Sequence, residues 1–191
     1  IEDCAQAHGA TYQGKKVGNL GHIGCFSLQA SKNMIGGEGG ILVMDDESLY
    51  QKALLVGYHP MRTKLEVKAP QLTKYVDSIN WNYRIHPLAA AIAKVQLKHL
   101  DERNRIRIEN ANYLSKGLMR VPGVKPPYVA PGCTHVYHMY SPSYEPEELR
   151  GLPKEKYIQA LSAEGVIIWA YIGVPLHLRT AFQENNFFPY G

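Results

Sequence analysis

Cys25-Phe26-Ser27-Leu28-Gln29-Ala30-Ser31-Lys32-Asn33-Met34-Ile35-Gly36-Gly37-Glu38-Gly39-Gly40 places a single lysine in a loop between two apolar stretches. The second stretch, Ile41-Leu42-Val43-Met44, is rich in β-branched and aliphatic residues, is bounded by Gly40 and Asp45, and reads as a buried strand. A lysine in such a loop, drawn out of water and flanked by glycines that let a planar ligand approach, is suited to Schiff-base formation, because burial lowers the amine pKa. The plain alternative is a surface lysine in a glycine-rich turn. The glycines do not form a phosphate loop, since no Gly-Lys-Ser/Thr follows and no helix opens from them. Nor do they form a dinucleotide fingerprint, which needs a strand before and a helix after.

Upstream, the run Gly18, Gly21, Gly24 among short apolar stretches predicts short strands and tight turns, and Ile1-Glu2-Asp3 reads as the end of a buried strand. Asp3 is followed by small residues and by Gln6 and His8. A carboxylate at a strand end commonly faces a ligand. Opposite a pyridine nitrogen, such an anion keeps the ring protonated and makes it an electron sink, the requirement of a pyridoxal phosphate enzyme.

Downstream, Asp45-Asp46-Glu47 predicts a helix over about 47–56 with acidic residues in its first turn. Residues 57–80, interrupted by Pro60 and Pro70, read as an irregular loop or lid. From Pro87 to about Gly117 one long helix is expected, with Leu88, Ile92, Val95, His99 and Leu100 on a shared face. Val121-Pro122-Gly123 ends it, and a proline-rich linker leads to a strand over 135–141, a helix over 154–164 and a second strand over 166–171.

The composition fits this mixed α/β reading. Of 191 residues, 45% are hydrophobic and 20% charged, which excludes disordered, collagen-like and coiled-coil chains. No apolar run approaches the roughly 18 residues of a membrane span. The charge of 21 − 17 = +4 is too mild to imply nucleic acid, and Arg103, Arg105 and Arg107, set among Asp101, Glu102 and Glu109, read as a solvated helix face. Three scattered cysteines without a CxxC pair exclude a disulfide framework and a structural zinc site, and fit a reducing cytoplasm. His135 and His138 at strand spacing would point to opposite faces, so no metal site is expected. The strand-like opening at Ile1 and the aromatic run Phe187-Phe188-Pro189-Tyr190 suggest a piece of a longer protein.

The ordered blocks Ile1-Glu2-Asp3-Cys4-Ala5-Gln6-Ala7-His8-Gly9-Ala10, Lys15-Lys16-Val17-Gly18, Gly24-Cys25-Phe26-Ser27, Lys32, Gly37-Glu38-Gly39-Gly40 and Asn82-Tyr83-Arg84 together resemble the DegT/DnrJ/EryC1/StrS family of pyridoxal phosphate-dependent sugar aminotransferases. The resemblance implies a fold-type I α/β architecture. Residues 1–86 would be the later part of a large cofactor-binding domain, 87–120 a long connecting helix, and 121–191 a truncated small C-terminal α/β domain. The implied activity is transfer of an amino group from glutamate or glutamine to a keto-sugar or cyclitol.

In that frame the resemblance makes Lys32 the cofactor-bearing catalytic lysine and Asp3 the partner of the pyridinium nitrogen. Gln6 would lie near the ring, and Ser27 would bond the cofactor phosphate. Asn82 would reach the phosphate of a neighbouring subunit's site and Arg84 would lie close to that interface, so a homodimer with a shared active site is implied. Tyr171 and His177, in Trp169-Ala170-Tyr171-Ile172-Gly173-Val174-Pro175-Leu176-His177, resemble a substrate loop. Many members carry His where this chain has Ala170, and the departure favours cyclitols or other non-nucleotide ketones. Asn80 stands where a glycine is usual, and asparagine tolerates positive φ. The family's glycine/threonine phosphate cradle and stacking aromatic lie upstream of Asp3, so residues 1–191 alone are expected to bind the cofactor poorly. The competing activities are sugar dehydration, whose enzymes typically carry histidine at the Lys32 position, and a non-catalytic regulator or remnant.

Overall fold

Four residues of strand, Gly24–Ser27 (β4), organise everything around Lys32. In the computed structural model, which describes residues 1–185, β4 pairs in parallel with Glu2–Asp3 (β1), Asp3 opposite Cys25, and antiparallel with Gly40–Val43 (β5). The order is therefore β1-β4-β5. The backbone ladder continues past β4, with Leu28 N–H donating to Gly39 C=O at 2.9 Å and Gly36 N–H to Leu28 C=O at 2.8 Å. Lys32 consequently sits in the connection of a hairpin whose two sides are bonded together.

Thr11–Tyr12 (β2) and Lys15–Lys16 (β3) form a second hairpin, and Cys133–Thr134 (β7) adds to it in the order β3-β2-β7. Glu47–Gly57 (α1) starts where the acidic run predicts, with the Asp46 carboxylate accepting from Leu49 N–H at 3.0 Å. Residues 57–80 are not an irregular loop. Pro60 and Pro70 each occupy a first helical turn, in Pro60–Glu66 (α2) and Pro70–Thr73 (α3), where the missing N–H costs nothing. Buried Gln51 ties these helices to α1, its side-chain oxygen accepting from Lys68 and Ala69 N–H at 2.9 Å each. Leu54, Val67 and Leu72 form the apolar centre beneath them.

The expected long helix is two helices, Pro87–Lys98 (α4) and Leu100–Leu118 (α5), because His99 leaves the helical region at φ −107°, ψ 2°. Leu100 is buried as expected, but the rest of the buried face differs: Ala89 and Ala93 face the core, whereas Leu88 is 68% and Val95 54% exposed. Small alanines let α4 approach the glycine run closely. A Cβ on Gly36 would stand 2.9 Å from the Ala89 carbonyl oxygen, and one on Gly39 3.1 Å from Ile85 Cδ1. These two glycines therefore admit neighbouring chain rather than a planar ligand. Leu28, Met34, Ala93 and Leu100 complete this core, with Ile85 against it.

The chain forms two compact units, Ile1–Arg120 with Pro126–Pro142, and Val121–Lys125 with Ser143 onward. Residues 126–142 thus group with the first unit. In the second, Val124–Lys125 (β6) pairs antiparallel with Ser143–Tyr144 (β8), and Lys154–Ala163 (α6) follows. The Tyr144 and Tyr157 rings lie 5.1 Å apart, and Thr180–Gln183 (α7) closes the described part. Neither expected strand over 135–141 or 166–171 forms. Tyr137 takes φ 47°, which breaks an extended ladder, and 166–171 has no paired strand among the described residues. The aromatic run at 187–190 lies outside the described residues.

Candidate functional site

β1 and β4 run parallel, so Asp3 and Ser27 both stand at the carboxyl ends of adjacent strands, the position at which open α/β sheets hold ligands. Asp3 is exposed, and one carboxylate oxygen accepts from Ala5 N–H at 3.0 Å. Ser27 Oγ accepts from Gln29 N–H at 3.3 Å, which leaves its own proton to donate. Lys32 is half-buried, and its backbone N–H donates to Gln29 C=O at 3.0 Å. Gln29 Oε1 also accepts from Ser31 N–H at 2.8 Å, so the loop shape is set without the lysine side chain. Gln6, also exposed, lies in the turn that follows β1.

Asn82 and Arg84 lie on an exposed stretch of the same unit, joined by Arg84 Nε donating to Asn82 Oδ1 at 2.8 Å. Trp81 N–H donates to Val56 C=O and Tyr83 N–H to Gly57 C=O, which lays the stretch along the end of α1. Asn80 does not use positive φ. Its side chain instead donates to Tyr58 C=O at 3.1 Å, which explains how asparagine serves at that turn. Tyr171 and His177 belong to the second unit. Both are exposed, and the His177 carbonyl accepts from Gln183 Nε2 at 2.5 Å.

Several residues of this region escape sequence reasoning. Glu2 accepts backbone N–H groups from Gly18, Leu20 and Gly21 at 2.8, 2.7 and 2.6 Å, and those bonds hold its carboxyl below the usual range. Its contribution to stability is present above the ordinary value of 4.5 and is lost as pH falls through the depressed folded value. Glu2→Gln is therefore expected to lower the thermal midpoint at about pH 7, with the difference from the parent shrinking as pH falls below 4.5, as scanning calorimetry across that range would reveal. Arg107 does not lie on a solvated face: it is half-buried, with NH1 shielded from water. His138 is near enough to Lys32 and Arg107 for their charges to reinforce the downward shift that burial gives its imidazole.

A cavity of about 390 Å³ lies beside Val17, Phe26, Met34, Ile41 and Leu97, and Asp3, Ser27 and Lys32 do not line it. Among the described residues no cluster of three or more His, Cys, Asp or Glu is placed to hold a metal ion, and no helix is long and apolar enough to cross a membrane.

The family model of the DegT/DnrJ/EryC1/StrS aminotransferases matches residues 1–189. The chain belongs to this family. It is 34% identical over 190 residues to the L-glutamine:2-deoxy-scyllo-inosose aminotransferase of Streptoalloteichus tenebrarius, covering 97% of this chain and 45% of the relative. It is 31% identical over 184 residues to the dTDP-3-amino-3,4,6-trideoxy-alpha-D-glucose transaminase of Streptomyces venezuelae, covering 95% of this chain and 44% of that one. Among solved structures, an aminotransferase from Psychrobacter cryohalolentis superposes with a TM-score of 0.81 at 28% identity, over 100% of this chain and 52% of the other. This member of the family thus has the mixed α/β fold of those enzymes and spans about half their length.

The residues at the β1 and β4 ends fit the family's cofactor by the chemistry of their donors and acceptors. An exposed carboxylate suits a protonated ring nitrogen, a hydroxyl with a free proton suits a phosphate, and a primary amine suits a carbonyl carbon.

Proposed function

We propose that this chain is the lysine-bearing part of a pyridoxal phosphate-dependent aminotransferase that moves an amino group from glutamine or glutamate onto a keto-cyclitol or keto-sugar. The observation that supports the reading is the placement of Asp3 and Ser27 at the carboxyl ends of a parallel strand pair, with Lys32 in the hairpin connection that follows Ser27, in a chain of this family. When bound, the cofactor supplies an electron-accepting ring that stabilises negative charge on the substrate carbon. Asp3 holds the proton on the ring nitrogen and Gln6 borders the ring. Ser27 donates its hydroxyl proton to the phosphate. Lys32 would hold the cofactor through Nζ and would carry the proton to and from the reacting carbon.

Asn82 and Arg84, exposed and bonded to each other, serve the site of a second copy, which makes the working unit a homodimer. Tyr171 and His177 contact the acceptor, and Ala170 between Trp169 and Tyr171 favours a cyclitol over a nucleotide-linked sugar. Residues 1–86 act as the later part of the large domain and 87–120 as the connection. The small domain takes the rest of the chain to residue 191, save the return of 126–142 to the first unit. The free thiols Cys4, Cys25 and Cys133 support a cytoplasmic location.

The test is borohydride reduction of the complete protein with pyridoxal phosphate, followed by peptide mapping and by transfer of labelled nitrogen from glutamine to keto-cyclitol and nucleotide-linked keto-sugar acceptors. Label on Lys32 with amino-cyclitol formation is expected. No label on Lys32 would favour a regulator, and label with acceptor dehydration but no nitrogen transfer would favour a dehydratase.

A further inference from the structure

Three polar side chains are buried in the first unit behind Lys32: His8 at 1%, Asn33 at 5% and Asn104 at 5% exposure. The two asparagine side chains are joined to each other, and His8 enters the path through its ring on one side and its backbone carbonyl on the other. His8 Nε2 donates to the Ser27 carbonyl at 2.8 Å, which fixes the ring's proton on Nε2. Burial pushes the His8 pKa down, and its Nδ1 has no hydrogen-bond partner. Asn104 Nδ2 donates to the His8 carbonyl at 2.8 Å, while Asn104 Oδ1 accepts from Asn33 Nδ2 at 3.4 Å. The same Asn33 amide donates to the Val136 carbonyl at 3.0 Å. The packing is built around this path: a Cβ on Gly9 would stand 2.7 Å from Asn104 Nδ2.

We propose that His8, Asn104 and Asn33 are positioning residues that tie the strand end carrying Ser27, the turn after Asp3, helix α5 and the loop carrying Lys32 into one buried hydrogen-bonded strut. The inference rests on the proposed roles of Ser27 and Lys32. Asn33 adjoins Lys32 in the chain, and the Ser27 carbonyl adjoins the hydroxyl assigned to the phosphate. A shift at either end of the strut moves the amine relative to the phosphate site. Misplacement of about 1 Å is sufficient to cost a large factor in a reaction that depends on aligned groups. Each amide also satisfies buried backbone oxygens that would otherwise be left unpaired.

The experiment uses the complete protein with Asn104→Leu, His8→Leu, His8→Gln and Asn33→Ala. Three quantities are read: reductive methylation of Lys32 relative to exposed Lys52 in cofactor-free protein, pyridoxal phosphate affinity by fluorescence, and the thermal midpoint. Gln places its Nε2 where His Nε2 lies, so His8→Gln keeps the bond to Ser27. Asn104→Leu, His8→Leu and Asn33→Ala are expected to change the Lys32-to-Lys52 ratio by about threefold or more and to weaken cofactor binding about tenfold, while His8→Gln stays within about twofold of the parent. Asn33→Ala, in a loop, keeps the comparison available if a leucine variant fails to fold. Variants that lose only thermal stability, with ratio and affinity unchanged, would overturn the proposal, as would His8→Gln behaving like His8→Leu. If the parent takes up no cofactor but the ratio still changes in the variants, the strut stands and the aminotransferase reading fails.

Discussion

Lys32→Ala in the complete protein is expected to lower amino transfer by about a thousandfold or more while leaving the fold in place. The loop does not depend on the side chain that is lost. Its shape is held by Lys32 N–H on the Gln29 carbonyl, by Ser31 N–H on the Gln29 side chain, and by the paired backbone of Leu28, Gly36 and Gly39. On the proposed function, removing the amine would take away both the anchor for the cofactor and the group that moves the proton. His138 is near Lys32, but burial holds its imidazole below its ordinary pKa and it cannot form the same covalent attachment. Single-turnover transfer from labelled glutamine, measured beside thermal melts of the two proteins, checks the claim. Retained transfer with an unchanged melt would remove Lys32 from the chemistry.

Leu28→Ala has the largest expected effect on stability, a loss of about 3 kcal/mol. Leu28 is fully buried and meets Met34, Ala93 and Leu100. It therefore joins the hairpin that carries Lys32 to both α4 and α5. The backbone bonds on either side of it hold its position, so little collapse into the vacated space is available and the cavity cost is retained. Urea denaturation should give a lower midpoint with an unchanged slope. A loss below about 1 kcal/mol would mean that the helices do not rely on this side chain.

The candidate residues were named in two ways: Lys32 beside its glycines and Asp3 at a strand end from local signals, Ser27 from the family resemblance. Helix α1 was legible from local signals too, since its acidic start and its cap lie within a few residues. What failed was what depends on distant partners. Pro60 and Pro70 look like breakers until the chain is seen to begin a helix at each. His99 carries no breaking signal of its own, so the division between α4 and α5 was hidden. The strand expected at 135–141 rested on composition, and one positive φ at Tyr137 undid it. The strut joins residues 96 and 71 positions apart, and its one sequence trace is Asn104, an uncharged amide within the charged run Asp101–Arg107.

The chain leaves the first unit after Arg120, returns at Pro126 and leaves again after Pro142. Thr134 in the returning stretch pairs with Thr11, and the Val136 carbonyl is held by Asn33. The second unit therefore cannot be transplanted whole as one contiguous cassette. A chimera joined at residue 121 would import a foreign β7 against the host's β2 and a foreign carbonyl against the host's Asn33. A junction at residue 142 would carry Tyr171 and His177 across and leave the lysine's surroundings native, with a foreign β8 against the host's two-residue β6 as its one strand mismatch. Recombination among relatives would thus succeed most often at the later crossing.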